Sequence, residues 1–374
     1  MTPTLGILGG GQLGRMMALA AIPMGIRCRF LVDKPADGVL DFGDVTVADW
    51  TDADVLRNWA AGCDAVTVES EWAPADLLAQ ASPNTRVFPS PATLTTIRDK
   101  ALQKRALADA GLATPDFRVC TTRDELHAAA DTLGLPLMAK RRRGSYDGYG
   151  NATCKTVADL DAAWHELAQE DGLLAEAWAP FEAELSVLVA RWTDRRTVVY
   201  PVAYSEQRDH RCHAVVVPSG FSGEVEQRAR DLAVAAVEAV DAVGIVGVEL
   251  FAMPDGSVSI NELAPRPHNT GHYTIEACQT SQFEQHVRAV LDLPPGSPDL
   301  VRPAACMINL LGSREGEVQA DGFADALAEP GTHVHLYGKR SVRPRRKMGH
   351  VTVLGDEPDA ARKRAERAAG LITL

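Results

Sequence analysis

The sequence of 374 residues lacks the patterns that mark disulfide-rich, zinc-ribbon and membrane-anchored proteins. Its seven cysteines are an odd number and include no Cys-x-x-Cys pair, which argues against both a disulfide framework and a zinc ribbon. No basic stretch precedes an apolar run at the N-terminus, and the most apolar segment, residues 232–250, is interrupted by Glu238, Asp241 and Glu249. We therefore expect a cytoplasmic protein without a membrane anchor.

Positive charge is in deficit, with 38 lysines and arginines against 50 aspartates and glutamates and a formal net charge of −12. Nucleic acid and anionic lipid are therefore not expected as partners. The basic residues nevertheless form two clusters, at residues 140–143 and residues 339–347. Within an acidic chain such clusters favour small anionic ligands, with solvated surface charge as the alternative.

The chain length predicts two or three packed units, and 46% hydrophobic residues are typical of a globular protein. Short apolar runs that alternate with helical segments predict an α/β sheet over residues 1–90. Residues 91–300 are predicted to form a second unit, which contains a long helix over residues 92–110 and a hairpin over residues 246–262. A small β-rich unit is predicted for residues 301–374.

A glycine-rich turn follows the first predicted strand. Gly9, Gly11 and Gly14 have the spacing of a dinucleotide-binding turn, and Asp33 lies where a ribose-binding acid is expected. Glycines let the backbone approach an anion, and a helix N-terminus offers unpaired N–H groups to any phosphate. Because nothing downstream is typical of hydride transfer, a ligand with one phosphate is favoured, and an NAD-dependent oxidoreductase is the alternative.

Two acidic residues interrupt the apolar strands of the predicted hairpin. Glu249 and Glu262 each lie inside an apolar strand, where a buried carboxylate needs a cation or a basic partner. Oxygen ligands suit magnesium, and Asn261 adds a neutral oxygen beside Glu262. The pattern therefore favours a metal site over two acids in salt bridges.

Further candidates for nucleotide binding lie within the second unit. Lys140 ends a buried-looking strand, where its ammonium could reach phosphate oxygens, and a glycine-bearing loop follows at residues 144–150. Glu176 and Glu184 could accept hydrogen bonds from a ribose or an adenine amino group. A surface role is the alternative for each of these residues.

Histidine pairs at chelating spacing are the last candidates. The pairs are His210 with His213, His268 with His272, and His333 with His335. No cysteine stands beside them at zinc-ligand spacing, so zinc is not expected. The pair at 268 and 272 follows the acidic hairpin directly and is better interpreted as a substrate contact.

The order of these features resembles the layout of ATP-grasp ligases. The features are a phosphate-type turn, a strand lysine, a glycine loop, a hinge acid and a Glu followed by Asn-Glu. More narrowly, the chain resembles the N5-carboxyaminoimidazole ribonucleotide synthase family. The motifs that carry this resemblance are GGGQLGRM at 9–16, KRR at 140–142 before YDG at 146–148, NELAPR at 261–266 with HNTGH at 268–272, SQFE at 281–284, and RP at 343–344 with RKMGH at 346–350.

The resemblance implies an α/β (α+β) fold in which a Rossmann-like N-terminal domain precedes an ATP-grasp domain, with a lid subdomain at about 114–180, and a small β-rich domain follows. It implies a homodimer that uses ATP, Mg²⁺ and bicarbonate to carboxylate 5-aminoimidazole ribonucleotide through carboxyphosphate, in purine biosynthesis. Two alternatives remain: a ligase of the same fold acting on another phosphorylated amine, for example with formate, and a non-catalytic nucleotide-binding regulator.

The resemblance also implies roles for individual residues. The implied catalytic residues are Arg266, Tyr146, Asp147 and Lys339. The implied ATP-binding residues are Lys100, Lys140, Gly144, Ser145, Tyr146, Asp147, Gly148, Gly150, Glu176, Ala177, Trp178, Ala179, Glu184, Gln207, Asn261 and Glu262. The implied ribonucleotide-binding residues are Gly11, Gln12, Leu13, Glu71, Asp147, His268, Asn269, Lys339, Arg346 and Lys347. The implied magnesium ligands are Glu249 and Glu262.

Four positions depart from the family pattern. The glycine loop has Ser145 where a glycine is common, and Gln207 replaces a common histidine. Lys100 stands where an arginine is frequent, and Arg345 stands where a glycine is usual. None of these departures removes a residue that the implied chemistry requires.

Overall fold

The computed structural model describes residues 2–145, 149–208 and 211–374. Within these ranges no helix combines the length and the apolar character that a membrane span needs. The chain is a mixed α/β protein with three main sheets, which agrees with the predicted fold class.

The first sheet is parallel, with strand order β3-β2-β1-β4-β5. The elements of this part of the chain are β1 (Thr4–Leu8), α1 (Gln12–Ala21), β2 (Arg27–Val32), β3 (Asp44–Val47), α2 (Ala53–Ala60), β4 (Ala65–Val68), α3 (Ala75–Ala81) and β5 (Val87–Phe88). The strand order reverses between β1 and β4, and ligands of such sheets bind at the carboxyl ends of the two strands that flank this point. The glycine turn after β1 and the acidic segment after β4 lie there.

Two helices, α4 (Pro91–Arg98) and α5 (Lys100–Asp109), replace the single helix predicted over residues 92–110. That prediction was wrong at Asp99, whose backbone is extended at φ −104° and ψ 107°. The Asp99 carboxylate caps α5 by accepting the N–H groups of Ala101 and Leu102, and it also binds Arg142, 2.7 Å away. Arg143 also donates to Asp99, at 3.2 Å, and four partners for one carboxylate favour the break in the helix.

The second sheet is small, with strand order β6-β9-β7-β8, and we call it the lid sheet. Its strands are antiparallel, and helices α6 and α7 pack against them. The elements are β6 (Phe117–Cys120), α6 (Arg123–Leu133), β7 (Leu137–Arg141), β8 (Asn151–Cys154), α7 (Val157–Leu167) and β9 (Leu173–Ala177).

The third sheet, which we call the large sheet, has strand order β15-β14-β10-β12-β13-β16-β20-β18, and β11 pairs with β10. Its first elements are β10 (Ala183–Arg191), β11 (Thr197–Val199), β12 (Ala203–Arg208), β13 (Arg211–Val217), α8 (Gly223–Ala239), β14 (Gly244–Ala252) and β15 (Val258–Ala264). Apolar residues of α5 and α8 cover one face of this part of the sheet. The predicted hairpin is confirmed, because β14 and β15 pair antiparallel around the turn at residues 253–257.

The C-terminal strands extend the large sheet, because β16 pairs with β13 and then with β20. The remaining elements are α9 (Thr274–Ala277), α10 (Gln282–Val290), β16 (Ala304–Leu311), β17 (Gly316–Glu317), α11 (Phe323–Ala328), β18 (Thr332–Leu336), β19 (Ser341–Val342), β20 (Lys347–Gly355) and α12 (Pro358–Leu371). Helix α10 packs its apolar face into the core of the first unit. The division at residue 300, proposed from the sequence, therefore separates strands that share hydrogen bonds in one sheet.

Candidate active site

A cavity of about 920 Å³ lies where the first unit, the lid sheet and the large sheet meet. Most residues that the sequence assigned to a site line this one cavity. They are Gly11, Gln12, Leu13, Glu71, Lys100, Lys140, Ser145, Glu176, Ala177, Trp178, Ala179, Glu184, Gln207, Glu249, Asn261, Glu262, Arg266, His268, Asn269, Lys339, Arg346 and Lys347. Gly144 and Gly150 are not among its lining residues, and Tyr146, Asp147 and Gly148 lie outside the described residues.

The first glycine turn is occupied by an acid of the chain itself. The Glu69 carboxylate accepts the N–H group of Gly11 with one oxygen and that of Leu13, 3.1 Å away, with the other. A Cβ atom on Gly11 would collide with Glu69 Oε1, so a larger residue at this position would displace the carboxylate from the turn. The N–H groups that the sequence assigned to a substrate phosphate therefore donate to Glu69 in this structure.

Glu71, two residues further on, binds the guanidinium of Arg266. Arg266 Nε lies 2.8 Å from Glu71 Oε2, and the side chains of both residues are largely buried. Burial alone would raise the pKa of Glu71, but the charge of Arg266 and its hydrogen bond outweigh burial and hold that pKa below its ordinary value. The pair joins the first unit to the segment after β15 and holds Arg266 at the cavity wall.

The acids of the hairpin face each other, since Glu249 on β14 is directly opposite Glu262 on β15. Burial and the neighbouring Glu262 raise the pKa of Glu249. The pKa of Glu262 lies below its ordinary value although burial opposes ionisation, because Lys100 and Lys140 are near, and Lys100 forms an ion pair with it. A second carboxylate so close to an ionised one calls for another cation.

These two carboxylates fit magnesium better than a metal held by the protein alone. Among the described residues, no group of three or more histidines, cysteines or acids has the geometry of a metal site. Magnesium is usually bound by one or two carboxylates and completes its shell with water and substrate phosphates. Glu249 and Glu262 are such a donor pair, and Asn261 lies beside them with its amide nitrogen 3.3 Å from Glu249 Oε2.

The ATP-side lysine predicted from the sequence, Lys140, also has an acidic partner. Its ammonium lies 2.5 Å from Glu176 Oε2 and 3.3 Å from Asn261 Oδ1. At the same end of the cavity Phe181 stacks on Phe251 with 4.4 Å between ring centroids. Burial raises the pKa of Glu184 there to about 7, so this carboxyl lies close to its titration midpoint at neutral pH.

His268 and Asn269 lie between the acids of the β14–β15 hairpin and the basic cluster at residues 339–347, which we call the basic tail. Burial, with the charges of Arg266 and Lys347, lowers the pKa of His268 to about 3, so its ring is neutral. The ring contacts Thr270 Oγ1 at 2.8 Å through Nδ1 and Glu249 Oε1 at 3.4 Å through Nε2. The Asn269 side chain exchanges two hydrogen bonds with that of Asn309 on β16.

The basic tail closes the other end of the cavity. Lys339 donates to Gln12 Oε1, 3.0 Å away, which connects the tail to the glycine turn. Lys347 and Arg346 line the cavity as well, although Arg346 directs Nη1 to the backbone oxygen of Ser341 at 2.7 Å. One end of the cavity therefore carries lysines paired with acids, and the other carries cations on the tail.

Three family models match the chain in sequence order. They are a ribonucleotide synthetase preATP-grasp domain over residues 1–98, an ATP-grasp domain over residues 105–283, and a phosphoribosylaminoimidazole carboxylase C-terminal domain over residues 305–364. The N5-carboxyaminoimidazole ribonucleotide synthase of Mycobacterium tuberculosis is 39% identical over 99% of this chain and 87% of the relative. The chain belongs to the N5-carboxyaminoimidazole ribonucleotide synthase family.

Other members of the N5-carboxyaminoimidazole ribonucleotide synthase family agree in sequence and in structure. A crystal structure of the enzyme from Aspergillus clavatus, in complex with ADP and 5-aminoimidazole ribonucleotide, superimposes with a TM-score of 0.89 at 33% identity and covers 99% of this chain and 98% of that one. The phosphoribosylaminoimidazole carboxylase of Schizosaccharomyces pombe is 38% identical over 96% of this chain. The chain spans only 66% of that longer relative.

Sequence reasoning missed one acidic and one basic residue at this site, Glu69 and Lys104. Glu69 follows β4 two positions before Glu71, and this alternation of acids after a strand could have drawn attention to it. Lys104 lies one helical turn after Lys100, and its ammonium lies 3.2 Å from Glu176 Oε1. Neither residue belongs to a motif by itself, so only their contacts identify them.

Proposed function

We propose that the chain carboxylates 5-aminoimidazole ribonucleotide with bicarbonate at the expense of ATP, giving N5-carboxyaminoimidazole ribonucleotide, ADP and phosphate. The observation that carries this proposal is the place of the Glu71–Arg266 pair, in one cavity between the lysine–acid end and the cationic tail. Family membership supports the same reaction. A cavity with lysines at one end and the cationic tail at the other suits two phosphate-bearing substrates and a small anion between them.

At the lysine–acid end, Lys140 and Lys100 would bind phosphate oxygens of ATP, and the aromatic pair of Phe181 and Phe251 offers an apolar wall for the base. Both lysines are already held on carboxylates and are therefore oriented before the nucleotide arrives. Glu249 and Glu262 would hold magnesium, which neutralises charge on the transferring phosphoryl group.

Arg266 is the residue placed to bind bicarbonate and the carboxyphosphate formed from it. Bicarbonate is a poor electrophile, so a bicarbonate oxygen first attacks the γ-phosphorus of ATP, and ADP leaves. The exocyclic amine then attacks the carboxyl carbon, phosphate leaves, and the amine loses a proton. A guanidinium fixed by Glu71 can bind both anions with two parallel hydrogen bonds and needs no reorganisation.

At the opposite end, Lys339 and Lys347 would bind the phosphate of the ribonucleotide. Lys339 is held on Gln12, so the tail and the first unit would contact the ribonucleotide together. The neutral ring of His268 and the amide of Asn269 lie between this phosphate site and the acids, where the amine would react.

The assignment is tested by ADP release with magnesium, ATP and bicarbonate, measured with and without 5-aminoimidazole ribonucleotide. We expect strong stimulation by the ribonucleotide and transfer of carbon label from bicarbonate into an acid-labile carbamate. Stimulation by formate in place of bicarbonate would favour the formate-dependent alternative. ATP binding without turnover would favour the non-catalytic regulator.

A cytoplasmic location and a homodimer are part of the same proposal. The seven cysteines are all free thiols, which supports a reducing compartment. Sedimentation of the purified chain tests the homodimer.

A further inference from the structure

Helix α5 carries two lysines one turn apart, and they face different surroundings. Lys100 lines the cavity, whereas Lys104 lies beneath the cavity floor with 2% of its side chain exposed. A buried ammonium is costly unless every N–H group has a partner. The burial of the Lys104 ammonium must therefore be explained by its contacts with other parts of the chain.

The Lys104 ammonium has three polar contacts, two hydrogen bonds and one ion pair. They are Thr114 Oγ1 at 2.6 Å, the backbone oxygen of Ile260 at 3.3 Å and Glu176 Oε1 at 3.2 Å. Ile260 belongs to β15 of the large sheet, Glu176 belongs to β9 of the lid sheet, and Thr114 lies between α5 and β6. One ammonium thus joins the lid sheet to the large sheet beneath the cavity.

Glu176 uses its second oxygen for Lys140, at 2.5 Å, so a Lys104–Glu176–Lys140 triad is buried with one positive charge in excess. Burial tends to raise the pKa of Glu176, but the charges of Lys104 and Lys140 hold that pKa below its ordinary value. Burial lowers the pKa of Lys104 to about 8, which leaves the ammonium mostly charged at pH 7.

We propose that Lys104 is a positioning residue for ATP, which acts through Glu176 on the Lys140 ammonium. Because Glu176 is shared between two lysines, its charge does not neutralise Lys140 completely, and the triad keeps a net positive charge for a nucleotide phosphate. Lys104 also fixes the Glu176 side chain and thereby the position of the Lys140 ammonium in the cavity. This inference rests on the proposed function only in assigning ATP to the Lys140 end of the cavity.

A double-mutant cycle between Lys104 and Glu176 tests the inference, with ATP affinity measured by calorimetry at pH 7 without bicarbonate. Lys104→Met removes the charge at similar volume, and Glu176 then pairs with Lys140 alone. We expect ATP to bind at least 10-fold more weakly, with ribonucleotide affinity within 2-fold of wild type. In the Glu176→Gln background the same substitution should change ATP affinity by less than 2-fold, because the carboxylate through which Lys104 acts is gone.

Two further variants separate positioning from a loss of fold. Thr114→Val removes one acceptor of the Lys104 ammonium and should weaken ATP binding about 3-fold, again only while Glu176 is present. Lys155→Met changes an exposed lysine of the lid subdomain and should leave ATP affinity unchanged. If Lys104→Met does not fold, the Thr114→Val cycle gives the answer by itself.

The inference is overturned if Lys104→Met binds ATP as wild type does, or if it weakens ATP equally in both backgrounds, as a purely structural lysine would. Wild-type protein that binds ATP but does not respond to the ribonucleotide would contradict the proposed function and leave this cycle valid. Wild-type protein that does not bind ATP would overturn both.

Discussion

The Glu69 carboxylate lies 3.1 Å from the backbone nitrogen of Leu13 and caps the first turn of α1 from another strand of the sheet. No side chain of the turn itself caps this helix. A carboxylate is stabilised at a helix N-terminus by the free N–H groups and by the helix dipole. Burial raises the pKa of Glu69 even though these N–H groups favour its ionised form. The glycine turn therefore accommodates an internal carboxyl group, and its spacing alone does not identify a nucleotide phosphate.

This relationship predicts the cost of removing Glu69. Glu69→Ala leaves the N–H groups of Gly11 and Leu13 without their acceptor and should lower the free energy of unfolding by about 1–3 kcal/mol. Glu69→Gln keeps an oxygen acceptor and should cost less than Glu69→Ala. Urea denaturation followed by circular dichroism measures both. Glu170→Ala, at an exposed turn before β9, is the control and should change stability by less than about 0.5 kcal/mol.

The paired carboxylates of β14 and β15 lead to a second prediction. Glu262→Gln should abolish magnesium-dependent ATP turnover, because the remaining carboxylate, Glu249, would hold the ion alone. Ribonucleotide affinity should remain within 2-fold of wild type, since the tail that would bind its phosphate is unchanged. Turnover and calorimetry are measured side by side, with Glu317→Gln on exposed β17 as the control. Undiminished turnover would remove Glu262 from the metal site.

The basic tail gives a third prediction. Lys347→Ala removes one charge-assisted hydrogen bond to the ribonucleotide phosphate, typically worth about 1.5–3 kcal/mol, and should raise the KM for the ribonucleotide about 10- to 150-fold. The KM for ATP should change much less, because Lys347 lies on the tail side of the cavity. Steady-state kinetics with each substrate varied in turn provide the comparison. Lys363→Ala, an exposed lysine of α12, should leave both constants unchanged, and an unaltered ribonucleotide KM in Lys347→Ala would place the phosphate elsewhere.

The fold and most of the cavity lining could be predicted because their signals are local or collective. The β14–β15 hairpin, for example, is predicted by two apolar runs around a turn. Its two acids are recognised as site candidates because a carboxylate in an apolar strand conflicts with burial. The break between α4 and α5 is harder to predict, because the local signal is one aspartate within a stretch of helical composition. Asp99 caps α5 locally, and its second set of contacts comes from Arg142, 43 residues further on, which the sequence does not reveal.

Glu69 and Lys104 illustrate the same limit within the site. The sequence shows a glycine turn and a helix lysine but not their partners. Glu69, the partner of the turn, lies 56 residues after Leu13, and Glu176, the partner of the lysine, lies 72 residues after Lys104. The first contact depends on the pairing of β1 with β4 in one sheet, and the second depends on how the lid sheet packs against the large sheet. Motifs report the groups that a ligand touches, whereas groups that orient them appear only with the structure.

A fourth prediction concerns the contact between α10 and the two sheets beside it. The buried ring of His286 accepts the N–H group of Ile245 on β14 at Nδ1, 3.0 Å away, so its proton is on Nε2, 2.8 Å from Thr67 Oγ1 on β4. Burial lowers the pKa of His286 to about 3, whereas an unfolded histidine titrates near 6.5.

The unfolded chain therefore binds a proton at His286 that the folded chain refuses, and the stability present above pH 6.5 is lost as the pH falls toward 3. This one group should contribute a slope of about 1.4 kcal/mol per pH unit to the free energy of unfolding. His286→Gln should flatten the dependence measured between pH 6 and 4.5 by up to that amount, while His165→Gln, on the exposed side of α7, should keep the wild-type slope. Equal slopes in all three proteins would show that the folded state accepts a proton at His286 and that the contact between β4, α10 and β14 tolerates a charge.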